Sequence, residues 1–504
     1  MKIFPEFSEF AKTYGSDGQG VAQVVWTTLV SDLETPVSAM LKLTHGKPNS
    51  FLLESVEGGA ARGRYSFIGM DPDLIWRCYG NKAEINRRAE TDPDAFDPCP
   101  VSEKSGAIES LRALVNESRI EMPDELPPMA SSLVGYMAYD TVRLAEKLPD
   151  DNPDVLNVPD SIFLRPTVMA VFDSLADSVS IVTPVWPDSG VDAEQAYEAA
   201  AARLARVVED FEGAAPEKPL LKENGKAAPQ PQSNMTREDF HVMVEKAVAY
   251  INAGDAFQIV PSQRFKMPFG LPPFSFYRTL RRLNPSPFLF FLDFGDFSVA
   301  GSSPEILVRV RDGKITLRPL AGTRKRGATP EEDKALVEDL LSDPKEIAEH
   351  LMLLDLGRND VGRVAKVGTV KVTEQFIVEY YSHVMHIASN VEGELDPKFD
   401  AIDALLAGFP AGTVSGAPKV RAMEIIDELE PERRGVYAGC IGYFGANGDM
   451  DTCIALRTAV IKDETIYIQA GGGVVSDSDP EAEYQESCNK AKALIRAAEE
   501  ALGS

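Results

Sequence analysis

The sequence predicts an α+β protein with two domains, each built on a largely antiparallel sheet with flanking helices. Three observations lead to this prediction. The chain has 504 residues, which is more than one compact core usually holds. A stretch at 213–235 is rich in Pro, Ala, Lys and Gln and is typical of an exposed linker. Strand-like and helix-like patterns follow one another without a regular βαβ alternation, which favours antiparallel pairing.

The linker divides the chain into an N-terminal region, 1–212, and a C-terminal domain, 236–504. Thr236 is a suitable N-cap for the first C-terminal helix, and Asp239 follows at the capping-box position. Apolar spacing predicts further helices at 192–211, 331–341, 344–356, 397–407 and 480–501. Alternating or β-branched runs predict strands at 50–54, 74–79, 168–172, 288–292, 306–310, 368–372 and 465–469.

Composition excludes several classes of function. The net charge of −27 repels polyanions, so we expect neither nucleic acid nor an anionic membrane as a partner. No apolar run approaches the roughly 20 residues that span a bilayer. The five cysteines are widely spaced and form no Cys-x-x-Cys, which indicates reduced thiols in a cytoplasmic protein rather than disulfides or a zinc site. The N-terminus lacks the apolar core of a signal peptide.

Two predicted helices present carboxylates beside apolar stripes. One begins at Asp343-Pro344 with Glu346 at the capping-box position, and Glu349 lies one turn later. The other begins at Asp479-Pro480, and Glu483, Glu486 and Lys490 follow on one face. Mg²⁺ prefers oxygen ligands and needs only one or two carboxylates when a substrate supplies another. The same spacing also suits Glu–Lys pairs on a solvated helix face, so the pattern alone leaves both interpretations open.

A second set of residues is suited to anions. The segment Arg318–Gly327 combines cations with a glycine, and Gly471-Gly472-Gly473 offers backbone N–H groups that are able to cradle a carboxylate. Arg457 lies in a strand-like run, where an arginine usually needs an anionic partner. Each feature also fits a structural role as a salt-bridged loop or a flexible turn. For His386, the sequence pattern alone favours a hydrogen-bonded core or pocket residue over an acid/base.

Taken together, these segments resemble the chorismate-utilising enzyme family, from Thr236 to the C-terminus. The matching stretches include GSSPEILVR, RPLAGTRKRG, EIAEHLMLLDLGRNDVGRV, GFPAGTVSGAPKVRAMEII, and QAGGGVVSDSDPEAEYQES. The resemblance implies that Glu349 and Glu486 hold Mg²⁺, that His386 is catalytic, and that Thr413 lies nearby. It also implies that chorismate is bound by residues of both glycine segments and their neighbours, namely Gly322, Thr323, Tyr437, Arg457, Gly471, Gly472, Gly473 and Lys490, with Glu305 as a further candidate.

Residues at two positions distinguish the reactions that members of the family catalyse. Water-using members resemble one another in having Lys where this chain has Gln263, and a glutamine there suits ammonia, which needs less activation. Aminodeoxychorismate synthases place Lys where this chain has Ala321, and Ala321 cannot capture an intermediate covalently. The resemblance therefore implies the anthranilate-forming reaction, the first committed step of tryptophan biosynthesis. Aminodeoxychorismate synthase component I, or a non-catalytic tryptophan-sensing protein on the same scaffold, are the alternatives.

The N-terminal region resembles the regulatory half of the anthranilate-forming members. Its FLLES segment and the later NPSP segment correspond to a site for inhibitory L-tryptophan. The implied site comprises Leu53, Glu54, Ser55, Asn284, Pro285, Ser286, Pro287, Phe288, Leu289, Ile441, Gly442 and Tyr443. Phe288 and Leu289 stand where Tyr and Met are common, and both keep an indole pocket apolar. No glutaminase signature surrounds any cysteine, so the resemblance implies a separate glutamine amidotransferase subunit that supplies ammonia.

Overall fold

The computed structural model describes residues 1–15, 20–57, 61–188, 190–214, 229–381 and 384–503. Its helices are α1 Phe7–Tyr14, α2 Pro36–Thr44, α3 Pro100–Ser105, α4 Ala107–Glu117, α5 Ala193–Glu212, α6 Arg237–Asn252, α7 Pro273–Leu283, α8 Pro330–Ser342, α9 Pro344–Gly362, α10 Ala401–Gly408, α11 Lys419–Leu429 and α12 Pro480–Gly503. Short 3-10 turns lie at Pro128–Ala130, Tyr139–Leu144 and Gly412–Val414.

The strands of the N-terminal region are β1 Gln23–Val30, β2 Ser50–Glu57, β3 Ala61–Tyr79, β4 Lys82–Asn86, β5 Asp97–Pro98, β6 Ser132–Met137, β7 Ser161–Asp173 and β8 Ser178–Val185. Those that follow are β9 Gln232–Ser233, β10 Gln258–Ile259, β11 Ser262–Pro268, β12 Phe288–Asp293, β13 Phe297–Ser303, β14 Ile306–Arg311, β15 Lys314–Leu317, β16 Leu320–Lys325, β17 Lys371–Tyr380, β18 Val384–Glu394, β19 Gly416–Ala417, β20 Cys440–Gly445, β21 Met450–Ile454, β22 Thr458–Lys462 and β23 Thr465–Gly471.

All pairings among the described strands are antiparallel, and together with the flanking helices they confirm the α+β prediction. The sheet crosses from one half of the chain to the other at two places. Strand β2 pairs with β12, with Glu54 opposite Leu289, and β6 pairs with β20, with Met137 opposite Cys440. The apolar core is shared in the same way, since one buried cluster contains both Ile181 and Leu494. The two halves are thus joined by backbone hydrogen bonds as well as by packing.

The division of the chain at 213–235 stays a prediction, and residues 215–228 of that linker lie outside the described residues. Helix α5 ends at Glu212, and the chain is described again from 229, where β9 pairs with β11. Thr236 then caps α6, and its hydroxyl accepts the Asp239 N–H at 3.1 Å in the expected capping box.

Several predicted boundaries differ from the structure: the helix predicted at 344–356 ends at Gly362, and the strands predicted at 74–79 and 168–172 begin at Ala61 and Ser161. Two further differences have a clear local cause. The helix expected from residue 397 begins at Ala401, because Asp400 is the N-cap and accepts the N–H groups of Ile402 and Asp403. The strand expected from residue 368 begins at Lys371, because Gly368 has a φ of +83° and belongs to a turn. Among the described residues, no helix is both long and apolar enough to cross a membrane.

Candidate active site

The carboxylates of helices α9 and α12 meet at the turn that follows strand β23. A Cβ atom added at Gly472 would lie 2.9 Å from Glu483 Oε2 and 3.5 Å from Glu486 Oε1, so only a glycine leaves this space free. A Cβ at Gly473 would lie 2.3 Å from the amide nitrogen of Gln258, which donates to Glu349 Oε1 at 3.0 Å. Helices that lie more than a hundred residues apart in sequence therefore place Glu349 and Glu486 on either side of one glycine turn.

The helix caps explain this placement. Asp343 accepts the Lys345 N–H at 3.0 Å and starts α9, and Asp479 accepts the Ala482 N–H at 2.9 Å at the start of α12. Glu346 does not complete a capping box as the sequence suggested. Its carboxylate accepts a hydrogen bond from Arg324 at 2.7 Å, which ties α9 to strand β16.

The acid cluster is electrostatically crowded. Burial raises the pKa of Glu349, and the neighbouring Glu346 and Glu486 carboxylates raise it further. Burial and Glu486 likewise raise the pKa of Glu483, whose Oε2 is buried without a hydrogen-bond partner in the described part of the chain. Lys490 offsets part of this charge through an ion pair with Glu486 at 2.7 Å.

These observations suit a divalent cation that binds oxygen ligands. An orphaned carboxylate oxygen and mutually repelling acids are the features that such an ion would satisfy. Within the described ranges, no group of three or more His, Cys, Asp or Glu side chains is placed so that it could hold a metal ion by itself. The set therefore fits an ion that takes its remaining ligands from water and substrate, as Mg²⁺ commonly does.

Gln263 and Gln258 differ in what they face. Gln263 is fully buried, accepts from Ser233 at 2.8 Å and donates to Ser487 at 2.6 Å, so its amide joins β9 to α12. Gln258 faces Glu349, and its amide oxygen is buried without a partner among the described residues. Gln258 was not among the site residues predicted from sequence, although it lies in the same AFQIVPSQRF segment as Gln263.

His386 is held in one orientation by strand β16. Its Nδ1 lies 3.1 Å from the Gly322 carbonyl oxygen and 3.0 Å from the Thr323 hydroxyl. The Tyr381 ring packs edge-on at 5.4 Å between centroids. Burial lowers the pKa of His386 to about 4, and nearby Arg457 and Lys490 contribute to the shift. The imidazole is therefore neutral at pH 7, and a proton on Nδ1 donated to Gly322 leaves Nε2 as the basic nitrogen.

Arg457 lies in a bend between β21 and β22 rather than within a strand. Its φ is +48°, in the left-handed region that non-glycine residues rarely adopt. Burial lowers the pKa of its guanidinium, which has neither a hydrogen bond nor an ion pair with any described residue. A desolvated arginine without an anionic partner indicates an anion site.

Tyr437 and Lys490 border the same region through Gly471. Lys490 Nζ donates to the Gly471 carbonyl at 3.1 Å, and the Gly471 backbone also hydrogen-bonds the Tyr437 hydroxyl. Arg434 packs beside the Tyr437 ring, 5.5 Å from its centroid.

Arg434 is a residue that the sequence analysis missed. It is almost fully buried and paired with Glu430, donates to the Val260 carbonyl at 2.6 Å, and donates to the Val414 carbonyl at 2.7 Å. It thereby fixes the segments that carry Gln258 and Thr413. Both residues lie beyond the end of α11 at Leu429, where Glu430 is extended, so no helical spacing pointed to this pair.

Thr413 contacts a buried acid. Its hydroxyl donates to Glu305 at 3.2 Å, and the Leu320 N–H approaches the same carboxyl group at 3.4 Å. Burial raises the pKa of Glu305 to about 8, so this carboxyl group is largely protonated at neutral pH. Glu305 also lines a small cavity with Gly412 and Thr413.

The residues expected to bind an inhibitor fall into two groups. Leu53, Phe288, Ile441 and Tyr443 belong to one apolar cluster, whereas Leu289 points to the opposite face of β12 and packs in another. Glu54 is already fully engaged, because its carboxylate accepts from Tyr277 at 2.6 Å and from two nitrogens of Arg281.

In the NPSP segment, the side-chain nitrogen of Asn284 and the hydroxyl of Ser286 are buried without partners among the described residues. These are the polar groups that the segment leaves free for a ligand.

Comparison with known proteins identifies the family to which the chain belongs. Residues 59–496 match the family model of the chorismate binding enzymes, and the chain belongs to that family. Within it, the chain belongs to the anthranilate synthase component 1 enzymes. It is 61% identical over 482 residues to the component 1 of Cereibacter sphaeroides, covering 96% of this chain and 95% of the relative. It is 48% identical to that of Pseudomonas putida, covering 93% of each.

Solved structures show the same fold. Anthranilate synthase component I from Streptococcus pneumoniae TIGR4 superposes with a TM-score of 0.73 at 39% identity, covering 86% of this chain and 92% of that chain. The menaquinone-specific isochorismate synthase from Escherichia coli reaches a TM-score of 0.70 at 19% identity, covering 99% of both chains, and therefore shows the fold alone. The predicted family and the anthranilate synthase activity are confirmed.

Proposed function

We propose that the cleft between α9, α12 and strands β16 and β18 converts chorismate and ammonia into anthranilate, pyruvate and water. The observation that carries this proposal is that an unpaired guanidinium and unpaired carboxylates occur in the same site. The Arg457 guanidinium has no anionic partner among the described residues, and the Glu349 and Glu483 carboxylates have no ion pair there. Chorismate carries two carboxylates, so one would pair with Arg457 directly and the other would be linked to the glutamates through Mg²⁺.

Substrate binding follows from these two needs. Arg457 would take the enolpyruvyl carboxylate, and the N–H groups of the Gly471–Gly473 turn and the Tyr437 hydroxyl would fix the same side chain. Glu349 and Glu486 would hold Mg²⁺, with Glu483 behind them. The ion would bind the ring carboxylate and act as a Lewis acid on it.

The protein side chains would then move the protons. Ammonia adds at C2 while the C4 hydroxyl leaves as water, and the protonated Glu305 with Thr413 is suited to supply the leaving oxygen with a proton. Loss of the C2 proton and of pyruvate restores the aromatic ring. His386 would accept or return a proton through Nε2, because Nδ1 is fixed by Gly322 and Thr323.

Gln258 is the side chain that we assign to ammonia, in place of Gln263. Its free amide oxygen is an acceptor beside the carboxylates, and a neutral acceptor binds NH₃ without changing its protonation. The component 1 relatives imply a partner component, and we propose that this partner is a glutamine amidotransferase that delivers the ammonia.

We further propose that L-tryptophan inhibits the enzyme at the contact between the N-terminal region and β12. The unpaired Asn284 amide and Ser286 hydroxyl suit an α-amino acid, and the cluster of Leu53, Phe288, Ile441 and Tyr443 suits an indole. Ser55 would close the site at the end of the FLLES segment. The free cysteines fit a reducing compartment, and we place the enzyme in the cytoplasm.

Product fluorescence tests the reaction. With chorismate, Mg²⁺ and ammonium salt, the purified chain should form anthranilate without any added enzyme. Accumulation of an aminated intermediate that becomes aromatic only after a separate lyase is added would instead support aminodeoxychorismate synthesis. A matched reaction without ammonium should give no anthranilate.

A further inference from the structure

Ser302, in strand β13, is hydrogen-bonded both to the proposed inhibitor site and to the proposed substrate site. The residue is fully buried. Its hydroxyl donates to the backbone carbonyl of Asn284, and its backbone N–H donates to the carbonyl of Arg457 at 3.1 Å. Ser302 therefore contacts the backbone of Asn284, whose side-chain amide is unpaired among the described residues, and the backbone of Arg457, whose guanidinium is likewise unpaired.

The backbone of Arg457 is held in an uncommon conformation by few contacts. Its φ of +48° lies in the left-handed region, and such a residue keeps this conformation only when its surroundings enforce it. The Ser302 N–H fixes its carbonyl, and the Thr458 hydroxyl fixes the preceding Leu456 carbonyl at 2.9 Å. Because no described residue binds the guanidinium, its direction in the cleft depends on this backbone.

The packing around β13 is tight enough that a shift of β12 is passed on to β22. A Cβ atom at Gly301 would lie 2.3 Å from the Phe290 ring and 2.7 Å from the Thr458 hydroxyl, so β12, β13 and β22 are in close contact here. Leu289 pairs with Ser302, and Gly301 pairs with Thr458. A close-packed core responds to a shift on one side by a shift on the other.

We propose that Ser302 is a positioning residue for Arg457 and couples the inhibitor site to the substrate carboxylate site. The inference rests on the proposed tryptophan inhibition. A ligand that engages the Asn284 amide and the Ser286 hydroxyl displaces the Asn284 carbonyl. Ser302, which donates to that carbonyl, moves with it, and the Arg457 guanidinium no longer points at the substrate carboxylate. The inhibitor then raises the KM for chorismate, and by thermodynamic reciprocity chorismate weakens the binding of the inhibitor by the same factor.

The variant Ser302→Ala tests the contact of Ser302 with Asn284 separately from its contact with Arg457. It removes the hydroxyl bond to Asn284 but keeps the backbone N–H that binds Arg457. The measured quantity is the ratio of the KM for chorismate at saturating tryptophan to the KM without it, which cancels any change in the basal KM. An allosteric ligand commonly changes the affinity for a second ligand by a factor of about 5 to 150. The ratio should fall to below about 2 in Ser302→Ala, while calorimetry shows tryptophan affinity within about threefold of the wild type.

The control variant is Ser298→Ala, on the same strand and face, whose hydroxyl contacts Asp293 at 3.4 Å instead. It should keep the wild-type ratio. A wild-type ratio in Ser302→Ala, with tryptophan bound, would overturn the role of Ser302 alone. If the wild type itself neither binds tryptophan nor shows a ratio above 1, the proposed inhibition fails, and the coupling fails with it.

A measurement on the wild type covers the case in which Ser302→Ala does not fold. Tryptophan should change the hydrogen exchange of the Ser302 amide and of the segment 455–459. Unchanged exchange in both, at saturating tryptophan, would overturn the proposal.

Discussion

The side-chain nitrogen of Gln258 donates to a carboxylate oxygen of Glu349 at 3.0 Å, while the oxygen of the same amide is buried without a partner among the described residues. The glutamine is therefore oriented by the acid cluster, and its amide oxygen is an unused acceptor. Leaving such a group unpaired costs about 1–3 kcal/mol, and a bound ligand recovers it.

Replacing Gln258 tests whether that acceptor binds ammonia. Gln258→Leu should lower kcat/KM for ammonia by about 10- to 100-fold, since one hydrogen bond and the orientation of Glu349 are lost. Steady-state kinetics with varied ammonium salt measure this. Gln263→Leu is the comparison, and it should mainly lower stability, by about 1–3 kcal/mol, because Ser233 and Ser487 lose their partner. A larger effect on the ammonia kinetics from Gln263→Leu would reverse the assignment.

Arg457 should contribute chiefly to substrate binding. Arg457→Gln removes the only charge proposed for the enolpyruvyl carboxylate, and such a loss costs about 2–5 kcal/mol. The kcat/KM for chorismate should fall by a factor between about 30 and several thousand. Arg496→Gln, an exposed arginine on α12, serves as the control. A kcat/KM within threefold of the wild type would exclude a direct contact between Arg457 and the substrate.

His386 should act as a neutral imidazole at physiological pH. Because burial lowers its pKa to about 4, the pH profile of kcat/KM should show no histidine step near pH 6.5, and the decline caused by protonation of His386 should appear only toward pH 4. His386→Ala should lower kcat by about 10²- to 10⁴-fold with an unchanged circular dichroism spectrum. Near-normal kcat in this variant contradicts the proposed role.

Glu305 should make stability depend on pH. Burial raises its pKa from 4.5 to about 8, so the folded state binds more protons than the unfolded state between these values. The stability that Glu305 contributes is present below pH 4.5 and is lost as the pH rises toward 8. Glu305→Gln should therefore raise Tm more at pH 8 than at pH 5, as measured by differential scanning calorimetry, while lowering kcat. Equal changes in Tm at the two pH values would show that the carboxyl group does not titrate in this window.

Much of the fold and part of the site could be predicted from local patterns. The caps at Thr236, Asp343 and Asp479 lie where the sequence indicated, because a cap is a local arrangement of side chain and backbone. The approach of Glu349 to Glu486 was expected from the family resemblance, since no local rule joins helices so far apart.

Long-range pairing accounts for what sequence reasoning missed. Gln258 and Gln263 lie five residues apart, and only the pairing of β10 with β19 and of β11 with β23 decides which of them faces the acids. Arg457 lies in a run whose composition is typical of a strand, but its φ of +48° places it in a bend, where its carbonyl accepts the Ser302 N–H. The sharing of one sheet by both halves likewise depends on partners that a strand pattern does not specify.

A calorimetric titration with Mg²⁺ tests most directly whether α9 and α12 share one divalent ion. The wild type should bind one Mg²⁺ per chain in the presence of chorismate under conditions without ammonia. Glu349→Gln and Glu486→Gln should each weaken that binding at least tenfold, while Glu500→Gln, at the exposed end of α12, should not. Wild-type Mg²⁺ affinity in both site variants would contradict the account.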